Sequence, residues 1–433
     1  MLTAIRGFKD ILPQDSLLWA EIEAFARLTF SSFGLREIRT PLIEKTEVFT
    51  RGIGEHTDIV EKEMYTFADR NGDSLSLRPE ATAGILRAVL EHSLHKEMSQ
   101  IRVFTIGPMF RHERPQKGRL RQFHQIDVEI LGTAEPLADF EVIWLAWSIV
   151  SGFYERISQS SDRPNLRLEI NSLGCPSCKP RHREDLLLFL ENRQEQLCPD
   201  CQRRSQSNPL RVFDCKLEQC KNALKGAPLL RNYICPDCVE HLKVVQEALH
   251  AVNIPFVINP MLVRGLDYYN RTTFELISNE LGAQGTVAAG GRYDGLAEQM
   301  EGPHLPGVGM AVGCERLILL AEQWAEQKSA YSTDIFVAAM GNEAVQTALP
   351  WIKELRKSGV SVLMPYESKG LKSLLKAADR HNAAYALILG ESELQGRRAM
   401  LKDLRSHSQT EIAFETLLPD LLNTLKNSKK DAK

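Results

Sequence analysis

Apolar residues recur at helical spacing across residues 17–33, while residues 100–110 and 122–131 read as strands, so the first part of the chain predicts a mixed α and β unit. Residues 164–260 are polar and helical in pattern and hold eight of the nine cysteines. Strand-like and glycine-rich segments return at 261–323. The pattern therefore predicts one domain built from 1–163 and 261–323, with 164–260 inserted into it. After Trp324 a polar stretch at 325–332 leads into an apolar strand at 334–340, a helix to about 357 and a strand at 360–364. A helix to about 382 and a strand at 384–389 follow. This βαβαβ order predicts a small third domain over 331–433. There is no fixed-period repeat, and the lysine-containing end at 427–433 reads as a frayed terminus.

Composition narrows the class without naming a function. With 433 residues, two to four domains fit, and 43% hydrophobic with 25% charged residues excludes collagen, coiled coil and wholesale disorder. The net charge of −3 argues against a protein that coats nucleic acid by bulk charge. From Tyr331 onward, however, 15 Lys and Arg face 12 Asp and Glu, which makes the last domain mildly basic at +3 against −6 for the rest. Met1 to Arg6 and the residues after it do not read as a secretory leader, and the longest apolar stretch, 142–150, is too short to span a bilayer, so a cytoplasmic protein is expected. Nine thiols in such a compartment stay reduced, which favours metal binding or catalysis over disulfides.

Candidate chemistry concentrates in three places. Residues 111–121 join two strands and carry five Lys or Arg against one acid, with Pro115 and Gly118 marking a hairpin loop that could grip phosphate. In the returning strand, Gln125, Asp127 and Glu129 share one face and Ile126, Val128 and Ile130 the other. That polar face is either exposed or, beside a phosphate-gripping loop, suited to a small ligand with an ammonium group. No Walker sequence occurs, and 307–313 lacks the spacing and context of a dinucleotide fingerprint, reading instead as a glycine-rich strand that opens a helix carrying Arg316 in its first turn. Arg264-Gly-Leu-Asp-Tyr268-Tyr269 sets a cation beside two aromatics, and 289–295 reads as a loop flexible enough to wrap a ligand.

Taken together these runs resemble a known family. Arg6 to Asp10, Gly34 to Pro41, Phe110 to Pro115, Arg121 to Gln125 and Gly307 to Arg316 resemble the N-terminal region and the three motifs of class II aminoacyl-tRNA synthetases. Arg264 to Tyr269 and Gly290 to Gly295 are similar to two signatures of the histidyl-tRNA synthetase family. The resemblance implies an α+β catalytic domain with an antiparallel sheet, a helical insertion and a C-terminal α/β anticodon-binding domain. It implies a cytoplasmic homodimer, with no membrane association, that activates histidine with Mg²⁺-bound ATP and passes it to the 3′ end of its cognate tRNA. Glu80, Ala81 and Thr82 would form the turn that binds the histidine α-amino group, completed by Gln125 and Glu129, and Tyr268 and Tyr269 would line the imidazole pocket. Arg111 would hold the α-phosphate, Glu113 would read the adenine amino group, and Arg119 and Arg316 would bind the outer phosphates. Arg264 would stand across the α-phosphate, making it and Arg111 the catalytic pair. The alternative within this fold is a non-catalytic regulatory paralogue of histidine biosynthesis.

The cysteines depart from the commonest form of that family. Cys175 and Cys178, Cys198 and Cys201, Cys215 and Cys220, and Cys235 and Cys238 form four short-spaced pairs. Two pairs make a tetrahedral site, so one or two structural Zn²⁺ ions are expected in the insertion, with plain reduced thiols as the alternative. Spacing does not say which pairs combine. Cys314 stands apart, as a small residue near the nucleotide rather than a nucleophile.

Overall fold

The computed structural model describes residues 2–54, 57–158, 164–324, 333–367 and 369–431, so the polar stretch at 325–332 lies outside the described residues. The chain divides into two compact units, Met1–Lys328 and Ser329–Lys433.

In the first unit the strands are β1 (Arg36–Glu37), β2 (Ile43–Lys45), β3 (Thr66–Ala68), β4 (Ser74–Leu77), β5 (Ile101–Phe110), β6 (Gln122–Leu131), β7 (Leu166–Ser172), β8 (Phe256–Ile258), β9 (Asn270–Ser278), β10 (Thr286–Arg292) and β11 (Gly307–Gly313). Eight of them form one sheet in the order β1-β5-β6-β11-β10-β9-β7-β8, and β2-β4-β3 form a small second sheet. Every pair from β5 to β7 is antiparallel, and the two edge pairs, β1 with β5 and β7 with β8, are parallel. β7 and β8 lie within 164–260, so the large sheet draws on both ends of that stretch.

One face of this sheet is the core. Ile126, Val128 and Ile130 are fully buried there against the helix Pro136–Ile157, which opens on Pro136, a residue whose missing N–H costs nothing at a helix start. That helix is long and apolar enough by composition to cross a bilayer. Here its apolar side, including Val142, Ile143, Ile149 and Phe153, packs under the sheet, which makes it the core helix of this unit. The helix Pro13–Ser32 adds Ile22, Ala26 and Phe30 at i, i+4 and i+8 and ends where Gly34 adopts φ +73°.

The second unit has β12 (Ile335–Ala339), β13 (Val362–Leu363), β14 (Tyr385–Leu389), β15 (Arg398–Asp403) and β16 (Gln409–Ala413) in the order β13-β12-β14-β15-β16. The three strands expected from the sequence pair in parallel, and an antiparallel hairpin, β15–β16, and the helix Leu417–Asp431 extend them. The hairpin is hard to see in sequence because it is half exposed and charged: Arg398 and Glu411 pair across it at 2.8 Å.

Candidate active site

The other face of the large sheet carries the chemistry. β6 lies between β5 and β11, with Gln125, Asp127 and Glu129 opposite Gly313, Ala311 and Gly309 on β11 and Gly107, Thr105 and Val103 on β5. Small residues beside each polar one keep the floor low; a Cβ on Gly309 would collide with the Glu129 carboxylate. Asp127 is only 3% exposed and Glu129 1%, so this polar face is buried, not solvated.

Buried carboxylates need partners. Glu129 accepts from the Thr82 hydroxyl at 2.6 Å and from the Tyr293 hydroxyl. Glu80 accepts from the backbone N–H groups of Thr82 at 2.7 Å and Ala83 at 2.9 Å, in the first turn of the helix Thr82–Glu91, where a negative charge is favoured by the helix dipole. Ala81, 1% exposed, packs beneath this turn. Burial raises Glu129 to about 8, with Glu80 adding to the rise and the Thr82 and Tyr293 hydrogen bonds opposing it. Burial, then the charges of Glu129 and Glu80, pushes Asp127 well above the carboxylate range. Gln125 Oε1 and Asp127 Oδ2 are buried acceptors with no hydrogen-bond donor among the described residues. Tyr268 and Tyr269, with rings 4.6 Å apart, and Tyr293 wall the site. Three crowded carboxyls and two open acceptors suit a cationic ligand with nitrogen donors.

Next to this lies a cavity of about 580 Å³ lined by Arg111, Glu113, Arg119, Gln125, Arg264 and Arg316 among others. The loop between β5 and β6 supplies the first three, and Arg111 is fixed by donating from Nε to the Pro79 carbonyl at 2.8 Å. Glu113 pairs with Arg119 at 3.0 Å. Arg316, in the first turn of the helix Cys314–Trp324, reaches the Thr286 carbonyl, and burial with the nearby Arg119 charge lowers its pKa. Arg264, also on the cavity wall, donates to Glu275 at 2.6 Å. Glu80, Ala81, Thr82, Glu129, Tyr268 and Tyr269 are not on the wall of this cavity; Gln125 and Arg264 form the junction, with the Arg264 guanidinium 5.6 Å from the Tyr269 ring.

Four residues of this region escaped sequence reasoning as site residues: Phe123, Asp127, Glu275 and Tyr293. Asp127 and Phe123 had a signal, their place on strand β6. Glu275 had none, because only sheet register brings it in, whereas Tyr293 lay within the singled-out run 289–295 without being named as a site residue. The run 289–295 is not a wrapping loop: β10 continues through Arg292, which is fully buried and donates to Asp139 and Asp294 and to the Thr133 and Glu135 carbonyls. Cys314 is buried in the core, and burial pushes its thiol up, as a packing residue rather than a nucleophile requires.

The eight insertion cysteines collect into two groups, Cys175, Cys178, Cys235 and Cys238, and Cys198, Cys201, Cys215 and Cys220, with all sulfurs in a group within 4.8 Å of one another. The outer two pairs thus combine, enclosing the inner two. Zinc bonded tetrahedrally to sulfur at about 2.3 Å sets sulfurs about 3.8 Å apart. Cys175 to Cys178 is 3.5 Å, Cys175 to Cys235 and Cys178 to Cys238 are 3.9 Å, and Cys198 to Cys215 is 4.0 Å. Backbone N–H groups of Cys235 and Cys198 donate to Cys178 and Cys220 sulfurs, each at 3.2 Å, as thiolates held for a metal accept.

The family model described as histidyl-tRNA synthetase matches residues 7–317, and one described as an anticodon binding domain matches 334–424. A histidine–tRNA ligase of Desulfatibacillum aliphaticivorans is 48% identical over 418 residues, covering 96% of this chain and 97% of that protein. One from Trichlorobacter lovleyi is 47% identical, covering 96% of each. The crystal structure of apo S. aureus histidyl-tRNA synthetase superposes with TM-score 0.79 at 31% identity, covering 97% of this chain and all of that one.

Proposed function

The chain belongs to the histidyl-tRNA synthetase family of class II and catalyses the ATP-dependent attachment of histidine to tRNA, and from that premise we propose which of its side chains do the work. The regulatory alternative has no observation in its favour.

The observation that carries the assignment is the junction of two opposite environments at Gln125 and Arg264. On the carboxylate side, Glu80 holds the turn at Ala81 and Thr82, and Thr82, Gln125 and Glu129 receive the histidine ammonium, with Asp127 as a further acceptor. Tyr268 and Tyr269 enclose the imidazole. On the other side, Arg111 holds the α-phosphate, Glu113 the adenine amino group, and Arg119 and Arg316 the outer phosphates. The histidine carboxylate then sits between Arg111 and Arg264, in line with the α-phosphorus. Its oxygen forms the new P–O bond as pyrophosphate leaves with the bonding pair, and the arginines stabilise the charge on the crowded phosphoryl centre. In the second step the terminal ribose hydroxyl of tRNA attacks the activated carbonyl and AMP departs. Enzymes of this class use ATP with Mg²⁺; Glu275, which accepts from Arg264 and Thr286, and Glu315, which accepts from the His124 N–H, are the carboxylates of the cavity wall that would hold such an ion. The anticodon-binding unit, mildly basic, meets the tRNA.

We further assign a Zn²⁺ to each cysteine group, supported by the sulfur spacing and the N–H donors, as structural nodes that supply no chemistry to the reaction. A cytoplasmic homodimer completes the reading. Leu42, Ile43 and Phe67, each more than 40% exposed near the first motif, support the self-contact, and sedimentation of the purified protein tests it. The catalytic assignment is tested by histidine-dependent exchange of pyrophosphate into ATP. Exchange with histidine is the expected result; none with histidine, or exchange with another amino acid instead, overturns it.

A further inference from the structure

Arg211, from the short helix Pro209–Asp214 of the insertion, is 93% buried in the large cavity's wall, since only 7% of it is exposed. A buried guanidinium normally fills its donors, as Arg292 does. Among the described residues the Arg211 side chain makes no hydrogen bond, and its Nε is a buried donor without an acceptor. Its nearest described carboxylate, Asp58, lies 3.3 Å away and is already taken by Arg204 at 2.7 Å and Arg203 at 3.2 Å. Three arginines, and Lys62 at 3.8 Å, thus share one carboxylate, and Arg211's contact with it is an ion pair without a hydrogen bond. Arg211 also lines a second cavity of about 250 Å³, and Arg211, Val263, Arg264 and Leu266 are common to the linings of the two. The unsatisfied cation therefore stands beside Arg264, the residue assigned to the reacting phosphate.

We propose that Arg211 is a phosphate-binding residue of the catalytic cavity, contributed by the insertion and exchanging its weak contact with Asp58 for a substrate phosphate oxygen. The inference rests on the reading of this cavity as the nucleotide site. A planar guanidinium with free donors in a desolvated wall gains most from a doubly acceptor-rich anion. That anion is a phosphate of ATP or of the terminal nucleotides of tRNA, both of which must reach this centre.

The two sources are separated by measuring histidine-dependent pyrophosphate exchange without tRNA, and single-turnover transfer to tRNA from preformed adenylate. Arg211→Met should weaken at least one by about tenfold: a raised KM for ATP in exchange assigns the nucleotide, and slowed transfer with normal exchange assigns the tRNA. Arg211→Lys should recover part of the loss. Asp58→Asn distinguishes phosphate binding from simple anchoring, because removing the competing carboxylate should improve the affected step by about threefold. If Asp58→Asn instead reproduces the Arg211→Met loss, or if Arg211→Met leaves both steps within twofold of wild type, the proposal is overturned. Arg111→Ala is the control for the underlying site: loss of exchange in that variant alongside normal Arg211→Met behaviour sinks only this inference, and retained exchange sinks the nucleotide-site reading itself.

Discussion

Glu129 is the residue on which burial and function meet. Its carboxyl titrates near 4.5 in an unfolded chain and about 8 in the folded one, chiefly because it is buried, with Glu80 beside it and only the Thr82 and Tyr293 hydroxyls opposing. The folded state therefore binds this proton more tightly, so Glu129 makes the histidine-free protein lose stability as pH rises from about 4.5 to about 8. Glu129→Gln should flatten that part of the profile in chemical denaturation; an unchanged slope contradicts the assignment. A bound ammonium should favour the ionised carboxyl, so histidine binding near pH 7 should release a proton, and less of one in Glu129→Gln. Calorimetric titration in two buffers of different ionisation enthalpy reads this directly. Across the junction, Arg264 donates from one terminal nitrogen to Glu275 and lines the cavity, while its buried Nε has no acceptor among the described residues. If it acts as charge builds at the α-phosphorus, Arg264→Ala should slow adenylate formation by at least about a hundredfold, or about 2.7 kcal/mol, with histidine affinity little changed. A variant that lost histidine binding but kept its turnover would contradict that role. The sequence pattern already set Gln125, Asp127 and Glu129 on one face, because strand period alone fixes it. Whether that face was wet or buried depended on Thr82, Tyr293 and Gly309, which are 47, 164 and 180 positions away from Glu129 and invisible to local periodicity.

Among elements, β5 and β6 were readable almost residue for residue, since two strand-patterned runs, the first largely apolar and the second alternating, joined by a Pro- and Gly-containing loop leave few other folds. The insertion was readable only as paired cysteines. Spacing within a pair is a local matter of one helical turn, and the combination of pairs is a matter of where helices dock. Two zinc equivalents per chain are expected by elemental analysis of carefully purified protein; fewer than about half an equivalent argues against either node being filled. Cys198→Ser should remove about one of the two and lower the thermal midpoint, while leaving the Cys175, Cys178, Cys235 and Cys238 node its metal. Loss of both ions from that single change would mean the two groups are not independent. The edge hairpin β15–β16 escaped prediction for the opposite reason: half exposed and salt-bridged, it carries too weak an apolar alternation to stand out from loop.

At the scale of the molecule, the second unit has its own cores, around Val337 with Leu387 and around Phe336 with Ile388, so it should fold without the first. A fragment of residues 1–328 is expected to keep histidine-dependent exchange within about threefold of the full chain and to lose charging of tRNA by about a hundredfold or more, since exchange needs only the cavity and charging needs the RNA to be held. Equal loss of both activities would show that the units cannot be separated in function. What the chain order determined was the inventory: three segments of distinct composition, the strand periods, the arginine-rich hairpin, the paired cysteines and the motifs that resemble the synthetase family. These are local quantities, written in spacings of two, three or four residues. What the tertiary structure decided was adjacency. Register across β6, β11 and β10 buried the carboxylates, the nesting of helices chose which cysteines meet, and the docking of the insertion left Arg211 in the cavity wall with no hydrogen bond among the described residues. Those outcomes depend on contacts between segments far apart in the chain, whose geometry no periodicity encodes.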